Sequence, residues 1–296
     1  MRIPNALFKS VVFICRKREG SQKHDFLATA FLFSVAIDKH PPLQCIFLVT
    51  AKHVIQAAKH HGYDLQIRIN RRDGNAEFLP LRSEWIYQEE SGSDVAIYSF
   101  PFGEKGSDGK YDCESINSAM ILRPADNSAH GIGIGESVFT IGLFSECQGK
   151  RKNIPILRVG NIAAVPDEAL IDKNSGYEYR AYLIDMISTS GLSGSPVFAF
   201  CEPKISDALI TVPNQMPTSI LSTYGRVLSQ GARIYLLGMI RGHWEIESLN
   251  MGIAMVTPIE ELMTMIASYP RLQQVKHQVI EQHLRENAPV LDNKKN

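Results

Sequence analysis

The apolar positions of this chain come in short runs, each closed by charged residues, glycine or proline. Val11-Val12-Phe13-Ile14-Cys15 ends at Arg16-Lys17-Arg18-Glu19-Gly20, and the run over residues 27–33 stops at Asp38-Lys39-His40-Pro41-Pro42. Further runs follow at residues 45–50, 65–69 and 95–100. Their β-branched and aromatic content, with turn residues between them, predicts strands. One interruption, residues 53–60 after Thr50-Ala51-Lys52, reads as a short helix.

Between Pro101 and Gly131 the pattern dissolves into Gly, Ser, Asp and Asn, which marks a connecting segment with a short helix near Ser115–Leu122. Strand-like runs resume at residues 137–141, 156–159, 181–184, 196–200, 234–237 and 253–256. Many short strands at even spacing indicate an all-β barrel or sandwich, and two strand-rich halves allow a duplicated barrel. After Pro258 the period changes to that of a helix. Ile259, Leu262, Met263 and Ile266 form one stripe, and Leu272, Val275, Val279 and Leu284 form another. Packing against the body is the ordinary use of such stripes, with a partner-binding helix as the alternative.

Composition narrows the class without naming chemistry. The chain has 296 residues, 44% of them hydrophobic, which is long and apolar enough for a sizeable core. Thirty-one Lys and Arg balance thirty-one Asp and Glu, so the basic excess of a phosphate-neutralising nucleic-acid binder is missing. No run approaches the ~18 apolar residues of a membrane span, and the N-terminus, with Pro4, Asn5 and Lys9, lacks an unbroken apolar leader core. The five cysteines, Cys15, Cys45, Cys113, Cys147 and Cys201, are odd in number and none are at CxxC spacing. No zinc knuckle or dithiol pair is expected, and unpaired thiols point to a reducing, cytoplasmic setting. His60-His61 has no partner ligands at metal spacing, and Gly131-Ile132-Gly133-Ile134-Gly135 lacks the spacing of a nucleotide fingerprint. Neither a metal nor a cofactor is implied.

Three segments carry chemistry. Val49-Thr50-Ala51-Lys52-His53 runs a strand into a histidine at a helical turn; Ser93-Asp94-Val95-Ala96-Ile97 sets an acid before an apolar strand. Gly191-Leu192-Ser193-Gly194-Ser195-Pro196 places a serine in a glycine-flanked turn. A serine hydroxyl attacks poorly until a base takes its proton. Imidazole is that base, and a carboxylate fixes its tautomer. Glycines let successive N–H groups converge on one point, which is what an oxyanion hole requires. Taken alone, each residue has a plainer role: a capping histidine, a turn aspartate, a loop serine. Asp64 and Asp73 stand in reserve for Asp94.

In their order His53, Asp94, Ser193, these segments resemble the chymotrypsin-like (trypsin-like) serine peptidases, particularly the bacterial branch that includes the HtrA-type peptidase domain. Residues 29–33, 135–142 and 252–258 resemble supporting strands of that family, so the likeness covers roughly residues 8–268. It implies two perpendicular six-stranded β-barrels with a C-terminal helical extension. The corresponding boundaries are 8–105 and 131–262 for the barrels, 106–130 for the linker, and 263–296 for the helix and tail. By the same resemblance Ser193 is the nucleophile, His53 the general base and Asp94 the orienting acid. The N–H groups of Gly191 and Ser193 form the oxyanion hole. The primary pocket is walled by Ile187-Ser188-Thr189 and Ile240-Arg241-Gly242-His243. Ile187 stands where Lys/Arg-selective members carry an acid, so a small or medium apolar side chain is expected, with an acidic one favoured by Arg241 and His243 as the lesser reading.

The chain departs from the pattern at Lys52 and Ser195, where the family usually has Ala and Gly. Leu192 replaces the acid that pairs with a freed N-terminus in secreted members, so activation by N-terminal cleavage is not expected. The implied function is hydrolysis of peptide bonds in a protein or peptide substrate. The alternative is an inactive or partner-activated module of the same fold, with the C-terminal helix receiving the partner.

Overall fold

The computed structural model describes residues 2–37, 43–99, 109–121, 132–172, 175–201, 233–246 and 249–286. Residues 106–108 and 122–130 of the expected linker, and the tail beyond residue 286, lie outside them. A short helix α1 (Asn5–Lys9) leads into β1 (Val11–Lys17). β2 (His24–Ala36), β3 (Gln44–Ala51), α2 (Lys52–His60), β4 (Leu65–Asn70), β5 (Ala76–Pro80) and β6 (Val95–Ser99) follow. These strands hydrogen-bond in the antiparallel order β5-β4-β1-β2-β3-β6. The two-residue strand β7 (Ile116–Asn117) runs parallel to β2 beside this path. The segment after β5 returns to β6 through an antiparallel bridge between Ile86 and Ile97, so the sheet curls back on itself.

The second half is a closed barrel. Its strands are β8 (Ser137–Gly142), β9 (Ile156–Ala164), β12 (Tyr182–Asp185), β13 (Pro196–Cys201), β14 (Arg233–Ile246) and β15 (Leu249–Pro258). The order β12-β15-β14-β13-β8-β9 closes where β9 pairs with β12. A small hairpin of β10 (Leu170–Ile171) and β11 (Glu178–Tyr179) projects from it. The chain ends in helices α3 (Ile259–Ser268) and α4 (Pro270–Glu286). The fold is thus all-β with a C-terminal helix pair, as expected, with one barrel closed by ladders and the other half a seven-stranded sheet. The segment expected as a helix near Ser115 is β7 followed by a single 3₁₀ turn, Ser118–Met120.

Strands read as continuous apolar runs because both of their faces are buried. Along β2, Ala28, Ala30 and Leu32 join Val12, Ile14, Leu48, Ile67 and Ala96 inside the curled sheet. The alternate residues Phe31, Phe33 and Val35 point the other way, into a core shared with Phe139, Ile141, Phe198, Leu236 and Met239 of the barrel. Period two splits one strand between two cores, so alternation with polar residues disappears from the sequence. The helical stripes join the shared core as well: Ile259, Leu262, Met265, Ile266 and Leu272 are buried in it, with Met263, Val275 and Val279 packed against its edge. Leu284 is exposed.

Candidate functional site

Helix α2 begins at Lys52 with Ala51 as its N-cap, a residue that offers no side-chain acceptor. The first N–H groups of any helix lack partners within it. Here Asp94, at the entrance to β6, supplies them from across the sheet. Lys52 N–H donates to the Asp94 carbonyl at 3.0 Å and His53 N–H to Asp94 Oδ1 at 2.9 Å. The other carboxylate oxygen lies 2.8 Å from His53 Nδ1. Asp94 is buried, while the His53 side chain is 48% exposed. Against an ionised carboxylate Nδ1 is the donor, and in the neutral imidazole that tautomer leaves the lone pair on Nε2. β3 and β6 are neighbouring strands paired from Ala51–Val95 to Phe47–Ser99, which sets His53 and Asp94 at the same end of the sheet. Asp73 is ion-paired with Arg71 and Asp64 lies beyond the far end of α2, so it is Asp94 that meets His53.

Ser193 lies in the turn between β12 and β13. Gly191 and Gly194 take φ of +95° and +80°, a region where a Cβ is strained. A Cβ on Gly194 would also collide with Thr50 Oγ1 and the Thr29 carbonyl. That close packing puts the Ser193 turn against the residues immediately before His53. Three N–H groups of the turn are bonded: Leu192 to Thr189 O, Gly194 to Ile240 O and Ser195 to Leu192 O. Those of Gly191 and Ser193 have no acceptor among the described residues. No hydrogen bond joins Ser193 Oγ to His53 among them either. Ser195 Oγ is buried without a partner, opposite Gly142.

Thr29 holds this turn. It is fully buried in β2, and its hydroxyl donates to Gly191 O and accepts from Leu143 N–H, both at 2.8 Å. Its N–H donates to Ser193 O at 3.0 Å, and its carbonyl accepts from Thr50 Oγ1 at 2.7 Å. One residue of the first sheet therefore fixes two carbonyls of the serine turn and ties them to the strand leading to His53. In the sequence Thr29 lay within the strand-like run 27–33, with no role of its own.

The pocket residues read from the sequence have separate environments. Ile187 is 58% exposed; Ser188 is buried, its carbonyl accepting from Asn250 Nδ2. Ile240 is buried and exchanges backbone hydrogen bonds with Gly194 and Ser195, and Gly242 is half-buried. The Arg241 guanidinium donates to Gly92 O at 2.6 Å, pairs with Asp172 at 2.9 Å and lies over the Tyr179 ring. It ties β14 to the loop before Asp94. Glu261, in the first turn of α3, is held above the usual carboxylate range chiefly by burial, with Ser93 and Arg241 opposing and Asp94 and Glu260 adding. Among the described residues no cluster of His, Cys, Asp or Glu is arranged to hold a metal, and no helix is long and apolar enough to cross a membrane.

A closed six-stranded barrel packed on a curled antiparallel sheet, followed by a C-terminal helix pair, is the chymotrypsin-like fold. The chain is similar to the protease domain of MamO from Magnetospirillum magneticum, with a TM-score of 0.53 and 12% identity over 88% of this chain and 96% of that one. It is also similar to Deg5 (TM-score 0.48, 14% identity, 90% and 92% covered) and to the HtrA-type protease AlgW with a tripeptide (0.48, 15%, 90% and 62%). It therefore spans less than two thirds of the AlgW chain. No family model and no curated protein matches the sequence. At these identities the likeness is one of fold.

Proposed function

We propose that the chain is a serine endopeptidase in which Ser193 Oγ attacks the substrate carbonyl. His53 Nε2 takes the serine proton and returns it to the leaving amine, and water then hydrolyses the acyl-enzyme by the same route. Asp94 holds the imidazole in the tautomer this requires. The N–H groups of Gly191 and Ser193 bind the oxyanion as charge develops. The observation that carries the reading is the glycine-flanked turn itself: within residues 191–195 the N–H groups of Gly191 and Ser193 lack acceptors among the described residues, in a segment packed against Thr50 and Ala51, just before His53 and its partner Asp94. A hydrogen bond from serine to base often tightens only when substrate is bound.

The substrate is a protein or peptide, cleaved next to an apolar side chain. Supporting this, Met186 N–H bonds to Gly252 O, which brings exposed Ile187 to the level of exposed Met251, while Arg241 is already engaged by Gly92 and Asp172. The free thiols support a reducing compartment. A fluorophosphonate probe tests the assignment: the wild-type chain is labelled and Ser193→Ala is not. Labelling that survives Ser193→Ala overturns it. The absent Ser193–His53 hydrogen bond favours a second reading, a peptide-binding module of the same fold that is inactive or switched on by a partner. Unlabelled wild-type protein that still binds peptides is the result expected from that reading.

A further inference from the structure

Lys52 is buried, one residue before His53. Its ammonium donates to Ser91 O at 2.6 Å and Gln88 O at 3.0 Å, and its N–H to Asp94 O at 3.0 Å. Arg241, from the barrel, takes Gly92 O. Residues 88–94 form neither helix nor strand, so their carbonyls have no ladder of their own. Backbone acceptors in such a segment must be satisfied from outside. Here two cations and one N–H satisfy four of them, on the loop that delivers Asp94. Burying an ammonium is costly unless it is hydrogen-bonded and balanced by opposite charge. Burial pulls Lys52 below its usual range and Arg241 adds to this, while Asp94, Glu89 and Glu261 push it back up. A residue that only filled space here would be apolar.

We propose that Lys52 is a positioning residue for the histidine–aspartate pair: its ammonium fixes the 88–94 loop so that both Asp94 carboxylate oxygens meet His53. The catalytic consequence rests on the peptidase reading, whereas the positioning itself does not. Lys52 acts through Asp94 and touches no substrate.

Lys52→Met keeps the stem and removes the donors. For a peptidase, kcat falls about 10- to 100-fold while KM stays within about twofold, as befits lost charge-assisted hydrogen bonds that position a base. In an Asp94→Asn background the same change costs less than about threefold, because the group it serves is already gone. The low-field ¹H resonance of His53 Nδ1–H, assigned by its loss in His53→Gln, broadens or moves upfield in Lys52→Met. Lys52→Gln, whose amide keeps N–H donors but no charge, gives an intermediate shift and replaces the Met variant should that one not fold. An unchanged resonance, or a kcat loss that is fully additive with Asp94→Asn, overturns the proposal. The resonance needs no turnover. A wild type that no active-site probe labels would sink the peptidase reading and leave the positioning role to be decided by the spectrum.

Discussion

Replacing Thr29 by valine removes one hydroxyl and keeps the shape of the side chain. The hydroxyl serves two partners, donating to Gly191 O and accepting from Leu143 N–H, each at 2.8 Å. Thr29 and Leu143 are completely buried and Gly191 nearly so. Water cannot easily substitute. A buried polar group left without its partner costs about 1–3 kcal/mol, so two orphans cost roughly 2–5 kcal/mol after some relaxation of the turn. The methyl that replaces the hydroxyl returns under about 1 kcal/mol of transfer free energy. The net expectation is a destabilisation of about 2–4 kcal/mol. The Gly191–Leu192 peptide would also lose its clamp. On the peptidase reading a single oxyanion donor is worth on the order of 10²–10³ in rate, so a mis-set turn should slow fluorophosphonate labelling by about 10- to 100-fold. Urea unfolding followed by circular dichroism measures the first effect, and labelling rates the second. Thr29→Ser is the control, because it keeps both hydrogen bonds and loses only a methyl. If Thr29→Val unfolds within about 0.5 kcal/mol of wild type and is labelled at the same rate, the hub described here has no energetic substance.

Two further outcomes follow from buried titratable groups. Glu261 has a folded pKa above the ordinary value of 4.5, mainly through burial, so the folded state binds that proton more tightly than the unfolded state. Its contribution is fully present below 4.5 and is lost as pH rises through the folded value, so Glu261→Gln should raise stability at neutral pH and flatten the pH dependence above 4.5; parallel stability–pH curves would refute this. Burial pushes the Cys15 thiol up to about 12 and those of Cys45 and Cys113 to about 11, whereas Cys147 is exposed. Iodoacetamide with peptide mapping should modify Cys147 first and Cys15 only on unfolding, and comparable rates would contradict the burial.

The sequence by itself determined the strand-rich character, the two helical stripes and the order of His53, Asp94 and Ser193. Each is a local signal: β-branched runs between turn residues, a change of period after Pro258, and glycines around a serine. β5 (Ala76–Pro80) was missed because Ala-Glu-Phe-Leu-Pro has neither alternation nor a β-branched residue, and pairing with β4 imposes its extended form. The roles of Thr29, Lys52 and Arg241 were equally hidden. Thr29 is more than a hundred residues from Leu143 and Gly191, and no local pattern records such a pairing. Arg241 read as a specificity residue because its neighbours along the chain allowed it to be free, yet the barrel places Gly92 and Asp172 around it. Local chemistry selects which residues are competent to act. Only closure of the barrel against the sheet decides which donors and acceptors remain unpaired, because satisfying a buried polar group depends on whatever the fold brings beside it.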